Sequence, residues 1–173
     1  MRRSVAAAGT SVFFVLAPGA VDGLIPWWLT GWHTHPWWPP VRVAGALLTV
    51  AGAAVLVRAF VRFVVEGGGT PAPVAPTERL VVGGLYRYVR NPMYVAVVTV
   101  ILGQALLLGQ PVLLWYAAIV WLVVATFVLL YEEPTLSRQF GSSYAEYRKA
   151  VPAWLPRLRP WRADLSRDHG KSG

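Results

Sequence analysis

The sequence predicts an all-α integral membrane protein, with about four transmembrane helices and a C-terminal amphipathic helix at the cytoplasmic face. Three observations carry that reading. Hydrophobic residues make up 55% of the 173 residues and charged ones only 14%, with a mean hydropathy of +0.48, which is too apolar for a soluble domain. Several apolar runs reach or approach the 17 to 25 or so residues needed to cross about 30 Å of hydrocarbon. The net charge of +8 comes from basic residues in loops and tails beside those runs, where they act as topology signals. This placement favours a membrane surface over nucleic acid, and no nucleic-acid partner is expected. The chain has no cysteine, which removes disulfides, thiolate nucleophiles and thiolate metal sites. Of its 16 basic residues 14 are Arg, a bias of GC-rich genomes that points to a bacterial inner membrane.

Met1-Arg2-Arg3 and the apolar stretch Val5 to Leu16 have the flank and core of a signal peptide. The apolar character runs on through Leu24-Ile25, so a retained first helix from Ser4 to Ile25 is expected. Pro26 to Pro40 holds Trp27, Trp28, Trp32, Trp37 and Trp38 without a Lys or Arg, the pattern of an interfacial aromatic belt on the non-cytoplasmic side. His33 and His35 lie in this loop with no carboxylate beside them, so no metal site is expected. A second span from Val41 to Val65 carries Gly45, Gly52 and several Ala, which allow close helix contact in lipid. Arg58 and Arg62, one turn apart near its end, can snorkel to the interface. These parts form an N-terminal two-helix membrane segment, 1–65, followed by a functional core, 66–173.

Gly67-Gly68-Gly69 and the Pro-rich stretch to Pro76 form a connector. No Gly-Lys-Ser/Thr and no GxGxxG follows, so nucleotide-loop folds are unsupported. Next comes a polar, aromatic and cationic block, Gly84 to Tyr94, pressed against the apolar segments Val95–Gly109 and Val112–Leu130. Only Gln110-Pro111 separates these two, which predicts a tight antiparallel hairpin. Counting outward from Pro111 brings Tyr94 and Glu132 to the same depth. One face therefore collects Arg87, Arg90, Asn91, Tyr94, Glu132 and Glu133.

Pro134 can open another helix, with Leu136, Phe140, Tyr144, Tyr147 and Val151 on one stripe and Arg138, Glu146, Arg148 and Lys149 off it, and with a bend at Gly141. A basic tail follows, with Arg157, Arg159, Arg162, Arg167 and Lys171. With both termini on one side, 15 of the 16 basic residues fall there and only Arg42 lies opposite; that side is cytoplasmic by the positive-inside rule. Glu132 and Glu133 end a helix next to lipid, where unpaired carboxylates are costly. Either Arg87 or Arg90 compensates them, or they form a pocket for a cationic ligand group with Tyr86, Tyr88 and Tyr94 as aromatic walls.

The ordered set of Glu78-Arg79-Leu80-Val81-Val82-Gly83-Gly84-Leu85-Tyr86, Arg90-Asn91-Pro92-Met93-Tyr94, Glu132-Glu133, Leu136, Phe140-Gly141, Tyr144, Tyr147 and Val151-Pro152 resembles the isoprenylcysteine carboxyl methyltransferase family. The Asn-Pro-Met-Tyr form is shared with the related phospholipid N-methyltransferases. The resemblance implies an integral membrane methyltransferase using S-adenosylmethionine bound at the cytosolic face, with no metal. Leu80 and Val81 would contact its adenine side through backbone groups, with Arg79 beside them. Tyr86, Asn91, Pro92, Met93 and Tyr94 would wall it, and Glu132 would hold its polar part. Glu132, Arg90 and Asn91 are the catalytic candidates the resemblance implies.

Two positions differ from the carboxyl methyltransferases. Asn91 stands where they have His, and Val128 where they have Arg. The reaction implied is in-line attack on the sulfonium methyl by a lipophilic or small carboxylate, amine or thiol entering between helices. A catalytically silent membrane protein of the same fold is the alternative.

Overall fold

A computed structural model of the chain describes residues 16–36, 38–67 and 79–162. Among them there is no strand, and two helices are long and apolar enough to cross a membrane, Pro39–Phe63 and Val112–Ala150. A third apolar helix, Pro92–Leu108, falls just short in length. The order is α1 (16–30, with a π-helical turn at Ala20–Leu24 and its last turns at Ile25–Thr30), α2 (Pro39–Gly67), a 3-10 turn (Gly84–Arg87), α3 (Pro92–Leu108), α4 (Val112–Phe127), a second π turn (Val128–Glu132) and α5 (Glu133–Ala150).

The first helix runs past its expected end at Ile25 and takes Trp27 and Trp28 onto its surface. Residues 1–15, Trp37, the Gly- and Pro-rich connector 68–78 and the tail beyond 162, with Arg167 and Lys171, lie outside the described residues.

Helix α3 begins at Pro92, where the missing N–H is one that a first turn leaves unpaired anyway. It ends at Gly109, whose left-handed φ of 67° reverses the chain. Leu113 N donates to Gln110 O at 3.1 Å, closing the turn around Pro111. Ile101, Ala105 and Leu108 then pack on Leu113 and Ala117 to seal this end of the hairpin. Against α2 the packing is closer still. A Cβ added at Gly45 would press on the backbone of Gly103 and Leu107, and one added at Gly103 would press on Thr49 and Gly45. The small residues thus let two backbones meet, as helix pairs in lipid require.

Polar side chains inside the apolar helices are satisfied locally. Thr49, Thr99 and Thr126 hydroxyls donate to the carbonyl four residues back, at 2.7 to 2.9 Å. The π turn in α1 throws backbone carbonyls out of α-helical register. Gln104 Nε2 donates to Asp22 O at 2.7 Å, and the Tyr116 hydroxyl to Val21 O at 2.9 Å. These bonds tie α1 to α3 and α4.

Beyond Glu132 the chain continues as helix until Gly141, whose φ of 51° and ψ of −122° break it. Tyr144, Tyr147 and Val151 are buried on one side, with Leu136 and Phe140 packed against them. The segment read as the start of a basic tail lies instead as a strap across the loop before α3. Arg90 N donates to Pro152 O (2.9 Å), Asn91 N to Ala153 O (3.3 Å), Arg157 N to Tyr88 O (2.9 Å) and Trp161 N to Arg87 O (2.9 Å). These bonds are almost all between backbone groups, so no side-chain pattern announces them.

Candidate functional site

The short loop between the connector and α3 is built to hold Tyr86. Gly84 turns it with φ of 55°. Gly83 N donates to Glu66 Oε2 at 2.9 Å, with no room for a Cβ against that carboxylate. Glu66 is itself held by Arg62 at 2.6 Å, one turn back on α2. The Tyr147 hydroxyl donates to Tyr86 O at 2.6 Å. Tyr86 is 5% exposed, and its own hydroxyl has no partner. Burial, and then the Glu132 carboxylate, hold that phenol well above the ordinary tyrosine range.

The two glutamates divide sharply. Glu132 Oε2 accepts from the Tyr94 hydroxyl at 3.2 Å, so the depth match read from the hairpin joins these two side chains. Glu133 takes the cations. Arg90 bonds its Oε1 at 2.7 Å and Arg148 its Oε2 at 3.2 Å, with Glu133 only 7% exposed. The same Arg90 nitrogen donates to the Tyr144 hydroxyl at 3.1 Å, while Arg90 Nε is buried without a partner. Arg87, the other expected counter-charge, is occupied elsewhere, donating from Nε to Trp161 O at 2.7 Å.

All of this surrounds one cavity of about 640 Å³, within the usual range of about 300–1,000 Å³ for small-molecule sites. At its polar end stand Tyr86, Arg90, Asn91, Glu132, Tyr144 and Tyr147; toward the sealed turn it becomes apolar, walled by Val97, Val120, Val124 and, from α1, Val21 and Ile25. Of the sequence-predicted residues, Leu80, Val81, Tyr86, Arg90, Asn91, Pro92, Met93, Tyr94 and Glu132 all line it. Arg79 is exposed and is not among the lining residues. Asn91 is 8% exposed, and its amide nitrogen is spent on Ala153 O at 3.2 Å. Val128 is buried and leaves an apolar patch on the wall.

His33 and His35 sit at the opposite end. Gln110 Nε2 donates to His33 O and His35 N to Leu108 O. Among the described residues no group of three His, Asp or Glu is placed to hold a metal.

Sequence reasoning missed the α1 wall and the roles of Glu133 and Arg148. The paired glutamates and the Tyr144, Tyr147 spacing were the available signals for the second.

A model of the phospholipid methyltransferase family matches residues 41–143, from the start of α2 to just past the Gly141 break. This is more than half of the chain. The chain belongs to the phospholipid methyltransferase family. That family also includes the isoprenylcysteine carboxyl methyltransferases, in line with the motif order of Arg90 to Tyr94 and Glu132-Glu133. A comparison with curated proteins found no match. Family and apolar helices together make this a membrane-associated methyltransferase.

Proposed function

We propose that the chain is an S-adenosylmethionine-dependent methyltransferase that works from within a membrane on a lipophilic or small carboxylate, amine or thiol. The observation that carries this is the single cavity with two unlike ends. Its polar end keeps three groups that the protein does not use up: the Arg90 Nε–H, the Tyr86 hydroxyl and a Glu132 carboxylate bonded only by a phenol. An amino acid end, with one ammonium and one carboxylate, needs that set: donors for the carboxylate and a carboxylate for the ammonium. S-adenosylmethionine, when bound, supplies an electrophilic methyl on a cationic sulfur.

The protein's own residues do the rest. Glu132 holds positive charge, with Tyr94 orienting its carboxylate. Glu133 and Arg148 fix Arg90 so that its free Nε–H faces the cavity. Asn91 ties the strap to the start of α3 and so acts as a positioning residue. Leu80, Val81, Met93 and Pro92 exclude water, which strengthens every polar contact inside. The apolar end accepts the acceptor's hydrocarbon part laterally from the bilayer. Val128, with no charge to offer, gives a carboxylate acceptor no clamp there, so the acceptor class is left to the apolar channel.

The membrane arrangement we propose has four crossings, α1 with the residues before it, α2, α3 and α4. Helix α3 is about 26 Å long at 1.5 Å per residue and crosses with the help of its polar ends. The first 65 residues anchor and wall the site, and 66–173 carry its polar chemistry. The site and both termini face the cytoplasm, in a bacterial inner membrane, by the distribution of basic residues.

The test is isothermal titration of S-adenosylmethionine into detergent-purified protein beside Glu132→Gln. Saturable binding that weakens by about 1.5–3 kcal/mol in the variant supports the assignment. No binding to well-folded wild type points to a silent relative, and equal affinity in the two moves the cofactor's cation away from Glu132.

A further inference from the structure

The strap 151–162 has an inner and an outer side. Its inner side is spent on the loop 87–91, through the backbone bonds described above and through Arg157, which donates from Nη1 to Ala150 O at 2.6 Å and so caps the last turn of α5. Its outer side has no partner. Leu155 is 79% exposed and Leu158 99% exposed, with Arg159 also outward and Arg162 exposed at the end. From Val151 to Arg162 there are three arginines and no acidic residue. Two leucines held open beside arginines are costly in water and are the composition of an interfacial membrane segment.

Geometry gives the direction of that membrane. Trp154, on the same strap, packs edge-on against Trp121, with ring centroids 6.1 Å apart. Trp121 is an outward-facing residue of the apolar helix α4. The strap is therefore continuous with the surface that α4 turns to lipid, at the end of the bundle where the basic residues gather.

We infer that the outer side of the strap docks on the anionic headgroup layer of the bilayer that holds the protein, with Leu155 and Leu158 in the interface and Arg159 and Arg162 on lipid phosphates. Charge complementarity selects this occupant, because cationic side chains near an anionic leaflet are attracted within a Debye length. The segment so held is the one that pairs with Arg87, Tyr88, Arg90 and Asn91, so the lipid surface becomes the outer layer of the site's scaffold. The inference does not depend on the methyltransferase reading, and its test reads no catalysis.

The chain has no cysteine, so Leu158→Cys gives a single attachment point for an environment-sensitive fluorophore. The labelled full-length protein is placed in nanodiscs of phosphatidylcholine alone and of phosphatidylcholine with phosphatidylglycerol. A blue-shifted, brighter emission only where the anionic lipid is present, falling back when Arg159→Gln and Arg162→Gln are added, is expected. An unchanged water-like emission in both lipids overturns the docking. A blue shift equal in both lipids and indifferent to the arginines also overturns it, since the label alone would then be entering the bilayer. Attachment at Leu155→Cys repeats the reading from the other leucine, and a partner protein in place of lipid would show as a blue shift in detergent that depends on added cell extract.

Discussion

Helix α3 turns one face to α2 and another to α4, and both faces are apolar, yet one is closed and the other holds a cavity of about 640 Å³. On the closed face Gly103 meets Gly45 and Thr49, and Val100 meets Gly52, with no room for one more carbon at the glycines. On the open face the hairpin is sealed only near Pro111, by Ile101, Ala105, Leu113 and Ala117. Farther down, Tyr94, Val97 and Val120 stand apart around space. Hydrophobicity is common to both faces, so it does not decide which one opens. Side-chain size at the contact does, together with polar groups such as Glu132 and Arg90 that cannot be left in contact with lipid.

Four substitutions probe that contrast. The largest effect is expected on the open side, because its charges are buried. Glu133→Leu leaves Arg90 without its counter-charge in a site where both are almost wholly covered, and should cost about 3–5 kcal/mol, seen as a collapse of the thermal transition in detergent. Next, Gly103→Ala should cost about 1–3 kcal/mol by overpacking the closed face, whereas Val97→Leu, a comparable addition beside the cavity, should leave melting unchanged. Equal tolerance at the two positions would erase the distinction. Third, Tyr94→Phe should leave folding intact and weaken S-adenosylmethionine binding about two- to twelvefold, the equivalent of about 0.5–1.5 kcal/mol for one hydrogen bond, read by titration. The smallest effect belongs to Gln104→Leu, which frees Asp22 O at the sealed end; about 0.6 kcal/mol is the usual cost in a membrane, a small fall in melting temperature with cofactor affinity unchanged.

The closed face was the easier one to read in advance. Gly45 and Gly52 on an apolar run announce a close helix contact without any knowledge of the partner. The meeting of Tyr94 with Glu132 was also legible, because a hairpin with a known turn at Pro111 fixes depth by counting. Which glutamate takes the cations was not legible. Neighbouring residues on a helix point about 100° apart, and the π turn at Val128–Glu132 alters the phase that the count assumes. Arg87 was an equally good partner on paper until Trp161 claimed it. The strap was hidden for a different reason. Its bonds to Arg87, Tyr88, Arg90 and Asn91 run largely through peptide groups, which every residue has, so a string of prolines and arginines reads as a tail. Helix α1 contributes its wall through Val21 and Ile25, residues that in sequence are indistinguishable from any other part of a span.

The π turn between α4 and α5 has a consequence for how this chain tolerates change. A ring closed from i to i+5 holds one residue more than an α-helical ring, so the turn behaves as a single-residue insertion in an otherwise regular helix. Deleting Leu130 would restore ordinary winding and turn everything after it by about 100°. Glu133 would then fall to the slot opposite Tyr94, and Arg90 would face the wrong side of α5. Substitutions at Leu129 or Leu130, both exposed to the surroundings, leave this arrangement alone. Between Pro111 and Glu133 the number of residues matters more than their identity.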